Sequence, residues 1–73
     1  MLNKQQFTKK IAQNIKLVRE KGGVSQEELA DRCRLYRTYI GHLENARYSP
    51  SGYVLYKIAL ALNIKVESLF PLK

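Results

Sequence analysis

The 73 residues include one cysteine, one histidine, one methionine, two prolines and no tryptophan. Each shortage closes off a class of answer. Cys33 has no second thiol in the chain to pair with, so this is not a disulfide-stapled secreted scaffold, and a reducing compartment is expected. With a single histidine, an unpaired thiol and scattered carboxylates, no nucleophile–base pair and no metal-ligand spacing can be assembled; no enzyme activity, catalytic residue, metal or cofactor is expected. Long apolar runs are missing as well. The most apolar stretch, residues 54–64, is interrupted by Lys57 and falls short of the ~18 residues of a membrane span. Residues 1–25 hold no run long enough for a signal peptide, so a soluble cytoplasmic protein is the expectation. Neither repeats nor Gly/Pro-rich linkers occur, which leaves one domain over residues 1–73.

Acidic residues are also scarce: 6 Asp and Glu face 13 Lys and Arg, a net charge of +7. The apolar fraction of 45% is that of a folded chain, so the surplus charge must lie on a folded surface and attract a polyanion. Nucleic acid comes first, an anionic membrane second and acidic proteins third. A peripheral membrane binder would need an exposed apolar stripe opposite lysines, and the one stripe of this kind, on the first helix, is needed for the core. A single-strand or RNA binder would cluster aromatic platforms, whereas the five tyrosines are dispersed. So short a chain also sits at the low end of what one core can support, and self-association is expected to add burial.

Apolar residues recur at helical spacing and nowhere alternate with period two, so the fold class is all-α, with five helices. Phe7, Ile11, Ile15 and Val18 mark the first, Lys4 to Lys21, with Asn3 and Gln6 spaced as a capping box and Gly22–Gly23 as its stop. Ser25 and Glu28 form a second capping box, opening a helix over Gln26 to Cys33 with Leu29, Ala30 and Cys33 inward. Glu27, Glu28 and Asp31 suit the helix dipole there. Arg34, Leu35 and Tyr36 break the pattern before a third helix, Arg37 to Glu44. A loop over 45–50 leads to Ser51, which caps a fourth helix (52–62) stopping at Asn63. A last short helix over 66–70 ends at Pro71.

Two short helices joined by a three-residue turn, in a basic chain, suggest a helix-turn-helix. Residues 25–46, SQEELADRCRLYRTYIGHLENA, resemble the Cro/repressor-like (Xre-type) helix-turn-helix family, and the resemblance runs from about Ile11 to Phe70. Gln26 opens the first motif helix, small Ala30 sits at the helix crossing, Leu35 occupies the turn, and Ile40 and Leu43 lie on the inner side of the second helix. The flanking RE-x-G-G-V-S-Q, L-E-N and A-L-N-I-x-V-x-S-L-F patterns fall in register too. Such a fold implies double-stranded DNA as partner.

At about 100° per residue, Tyr39, Ile40 and Leu43 share the inner side of the third helix, while Thr38, Gly41, His42 and Asn45 lie opposite with Arg37 at the edge. Arg37 suits guanine O6 and N7, and the Thr38 methyl suits thymine. Gly41 costs a helix about 1 kcal/mol relative to alanine, a cost that close approach of another molecule would explain. Arg37, Thr38, Gly41 and His42 are the base-reading candidates; for His42, phosphate contact and idle exposure stand open beside base contact. Gln26, at a helix N-terminus, Arg34, Tyr36, Asn45 and Arg47 are candidates for the DNA backbone, and Arg47 also for the minor groove. A solvated polar face is the plain alternative for the whole set, and ordinary surface roles stay open for Tyr36 and Arg47. The turn departs from the family pattern twice. Arg34 stands where glycine is usual, and Tyr36 where Ser, Thr or Asp would cap; either both touch DNA or the turn tolerates poor chemistry. The resemblance implies that Arg19 and Glu44 form a partly buried structural ion pair. Cys33 reads as core, with a redox role as the lesser alternative.

One short helix reads too few base pairs to find a unique site, so a homodimer on a palindromic operator is expected. Ile64, Val66, Leu69, Phe70 and Leu72 are the candidate dimer interface, as the resemblance also implies. The RTYI run, the small size and the lack of a ligand domain resemble most the controller proteins of restriction-modification systems, which activate at low and repress at high occupancy. Contact with RNA polymerase would follow if this chain activates. Phage-type repressors and antitoxin autoregulators are the alternatives.

Overall fold

The computed structural model describes residues 1–71, so Leu72, one of the interface candidates, lies outside them. Four α-helices and one 3-10 turn follow in chain order: α1 (Lys4–Lys21), α2 (Gln26–Cys33), α3 (Arg37–Glu44), α4 (Gly52–Leu62) and the turn Val66–Leu69. No strand occurs among the described residues. The first two helices open with the reciprocal bonds expected of them. Asn3 Oδ1 accepts from the Gln6 N–H at 2.8 Å while the Asn3 N–H donates back to Gln6 Oε1 at 3.0 Å. Ser25 and Glu28 repeat the arrangement at 3.0 and 3.1 Å, and the bond from the Ser25 backbone N–H is the main reason the Glu28 carboxyl titrates below its usual range. Ser51 caps α4 through the Val54 N–H at 3.1 Å. Among the four α-helices α3 alone lacks a side-chain cap, because its N-cap is Tyr36.

All four α-helices end by one device. A residue with positive φ follows each: Gly23 (72°), Arg34 (56°), Ala46 (59°) and Asn63 (55°). The next N–H then returns to a carbonyl five residues back, from Val24 to Arg19, Leu35 to Ala30, Arg47 to His42 and Ile64 to Ala59, at 2.9–3.1 Å. Glycine takes this conformation freely and asparagine tolerates it, whereas other residues lose roughly 1–2 kcal/mol. The two strained joints are therefore Arg34 and Ala46, and they bracket α3. Arg34→Gly is expected to raise the melting temperature by several degrees, since about 1 kcal/mol moves a domain of this size by about 4–8 °C. The Arg34 side chain is exposed, so the exchange removes no packing. A fall in a calorimetric melt would refute the cost assigned to this joint.

Inside, Ile11 and Ile15 of α1, Leu29 of α2, Ile40 and Leu43 of α3, Ile58 of α4 and Leu69 form one fully enclosed cluster, completed by Ala30, Cys33, Leu55 and Ala59. Burial pushes the Cys33 thiol pKa up, as expected of a core residue. Two polar ties bind the layers from outside: Asn14 Nδ2 donates to the Leu69 carbonyl at 3.0 Å, and Arg32 Nη1 to the Ala61 carbonyl at 3.1 Å.

The C-terminal segment differs from expectation in two ways. The fifth helix is a 3-10 turn ending at Leu69, because Phe70 precedes Pro71 and is held in extended geometry (φ −93°, ψ 139°), the region to which a residue before proline is confined. Leu69, expected to meet a partner, has no accessible surface and belongs to the protomer's own core. Phe70 is half-buried against Phe7, with ring centroids 5.8 Å apart.

Candidate nucleic-acid interface

The seat of α3 is built on its inner side. Ile40 and Leu43 are fully buried and Tyr39 packs beside them, which fixes rotation about the helix axis. Its C-terminal end is held by a polar knot. Arg19 Nε and Nη2 donate to the two oxygens of Glu44 at 2.6 and 3.0 Å, a fork matched to a carboxylate. The remaining Arg19 nitrogen, Nη1, donates to the Val24 carbonyl at 2.8 Å. Glu44 is almost wholly enclosed, with 2% of its side chain exposed, and the bond to it is the largest cause of the raised Arg19 pKa. Gln26 Nε2 adds a third bond to Glu44, at 3.1 Å. One carboxylate thus ties α1, α2 and α3 together. The ion pair is the one the resemblance implies; the part Gln26 takes in it is not legible in the sequence, because no local spacing links residues 26 and 44.

The outer side of α3 is open at its N-terminal end. Tyr36, Arg37 and Thr38 are exposed, and Tyr36 keeps 83% of its surface. Gly41 and His42 are half-buried one turn on. His42 meets Tyr48 of the following loop edge-to-face at 5.4 Å, and Tyr48 also stacks on Tyr39 at 6.2 Å, so the loop is strapped to the helix. Asn45 turns back to donate to the Gly41 carbonyl at 2.8 Å, while Arg34 and Arg47 project into solvent. The eight residues of α3 span about 12 Å, a rod that fits a DNA major groove of about 12 Å.

Gly41 has room for a side chain: an added Cβ would meet only Gln26 Oε1, at 3.9 Å, ordinary contact. Gly41→Ala is therefore expected to stabilise the fold by about 1 kcal/mol. A melting temperature that falls instead would show that the helix needs the glycine for its own packing.

The candidate interface residues separate. Ile64 is half-buried and Val66 exposed, while Leu69 and Phe70 are largely spent within the protomer. The larger apolar surface lies on α4, where Tyr53, Tyr56 and Leu60 are exposed by 67%, 55% and 63%. At spacings of three and four these share one helix side, the pattern left over once Leu55, Ile58 and Ala59 turn inward. Lys57 lies 5.4 Å over the Tyr53 ring. Among the described residues no group of His, Cys, Asp and Glu could hold a metal, and no helix is long and apolar enough to cross a membrane.

A short helix locked from within, presenting its basic N-terminal end outward across a second helix, defines a DNA-binding helix-turn-helix regulator. Comparison with known proteins gives the family: residues 15–69 match the helix-turn-helix profile, and the chain belongs to the Xre-type helix-turn-helix family. An uncharacterized HTH-type transcriptional regulator of Archaeoglobus fulgidus is 45% identical over 56 residues, covering 77% of this chain and 79% of that protein. Control protein C.SmaI of Serratia marcescens is 37% identical over 59 residues, 81% of this chain and 70% of its own. Among solved structures, the restriction-modification controller protein C.AhdI of Aeromonas hydrophila superposes with a TM-score of 0.83 at 35% identity, over 86% of this chain and 96% of its own. The chain is thus a transcriptional regulator related to restriction-modification controllers.

Proposed function

We propose that this chain is a cytoplasmic restriction-modification controller, a single domain whose homodimer binds a palindromic operator with α3 of each copy in the major groove. The observation that carries the reading is the two-sided build of α3: an inner side immobilised by Ile40, Leu43 and the Glu44 knot, and an outer side offering Arg37 and Thr38. Arg37 suits paired bonds to guanine, Thr38 methyl contact with thymine, and Gly41 and His42 lie one turn further along the same side. Arg34, Tyr36, Asn45 and Arg47 flank that helix where phosphates would run. Gln26 stands at the N-terminus of α2, where its Nε2 gives one N–H to Glu44 and keeps the other for a phosphate approaching that end. The controller role rests on likeness to C.AhdI and C.SmaI.

A dimer is supported by the small core and by the uncovered α4 side; Ile64, Val66 and Phe70 contribute the surface they keep, and Leu72 lies outside the described residues. The two reading helices would stand about 34 Å apart. Selection of bound duplexes from a random pool tests both points at once: a recovered site with twofold symmetry is expected, bound by a particle of dimer mass in light scattering. An asymmetric site bound by a monomer would refute the dimer. On a promoter carrying that site, transcription by RNA polymerase should rise and then fall as protein is added; a monotonic fall would favour a phage-type repressor or an antitoxin autoregulator.

A further inference from the structure

An open groove of about 630 Å³ lies between the first turns of α1 and the loop after α3, and neither the polar knot nor the base-reading side of α3 uses it. Lys4 and Lys9 line one wall; Arg47, Tyr48 and Ser49 line the other. No acidic residue is among its described lining, and the ion pairs among the described residues belong to Arg19 alone. Three cations facing one hollow without a counter-charge repel one another, and an anion in the hollow relieves that repulsion. The groove also adjoins α3, because its wall residue Tyr48 is the ring that meets both Tyr39 and His42. Ala46, one of the two strained joints, also lines the groove.

We propose that this groove extends the phosphate track: Lys4 and Lys9 join Arg47 in holding the sugar-phosphate backbone of the same duplex just beyond the base pairs that α3 reads. The inference rests on the base-reading proposal above and extends it. Flexible lysine stems in an open groove fit a phosphodiester track, which needs charge within reach and no fixed fork geometry. A small closed cavity would have suited a free anion; a hollow open along one side and shared with the reading helix suits a polymer.

The probe is the duplex recovered by selection, extended by about one helical turn (~10 base pairs) at each end, with a scrambled duplex of equal length beside it. Affinity is measured between 50 and 200 mM salt for the unaltered chain, for Lys4→Gln with Lys9→Gln, and for Lys10→Gln with Lys16→Gln. The second pair removes the same charge from exposed α1 positions outside the groove. The groove variant is expected to lose about 0.9 in the slope of log affinity against log salt for each phosphate contact removed, close to 2 per protomer, and the control pair to lose little. Trimming the duplex to the read base pairs should abolish the difference between the unaltered chain and the groove variant. Equal slopes on the extended duplex, an equal loss in the control pair, or a difference that survives trimming would each overturn the proposal. The ratio of affinities for selected and scrambled duplex reports separately on base reading, and the slope difference tests the groove whichever way that ratio falls.

Discussion

Replacing Glu44 by alanine is expected to lower stability by about 3–5 kcal/mol, the cost of stranding a buried charge. Arg19 would lose the partner of two of its N–H groups, and its single bond to the Val24 carbonyl cannot neutralise the guanidinium. Gln26 would lose its acceptor as well. At about 4–8 °C per kcal/mol, the thermal midpoint should fall by more than about 12 °C. A loss under about 1 kcal/mol would mean that the pair behaves like a surface ion pair, which its enclosure argues against.

Arg37→Ala combined with Thr38→Ala should act in the opposite sphere. Both residues are exposed, and among the described residues neither side chain bonds within the protomer, so melts should change little. Discrimination between the selected duplex and single base-pair variants should collapse at the positions they read, by about 1–3 kcal/mol each, roughly 5- to 150-fold. Affinity for a scrambled duplex should persist, because phosphate contacts elsewhere are untouched. Unchanged discrimination would disprove the reading of α3.

Much of this architecture was legible in the chain because local chemistry and long-range packing agree. Capping boxes at Asn3 and Ser25, and a tolerant left-handed residue at Asn63, mark boundaries that the fold keeps. Cys33 and Ala30 declare themselves core by helical spacing alone. What escaped was information carried by no local pattern. Ala46 adopts a left-handed backbone although alanine carries no turn signal; the bonds of Leu43 and His42 impose it. In sequence Leu69 looks spare, as a terminal apolar residue does, yet the Asn14 amide fastens its carbonyl and the side chain fills the core. The groove joins residues 4–9 to 46–49 and exists only once α1 and the loop are brought together.

Because the orientation of α3 is secured mainly from behind, by Ile40, Leu43 and the Glu44 carboxylate, the exposed Arg37 and Thr38 at its front carry almost none of the folding energy. Recognition and stability are then independent variables. Descendants of such a chain are free to change the address they bind through a handful of surface exchanges, with no compensating repair elsewhere, and a laboratory seeking a new specificity would randomise the same few positions on an unaltered frame.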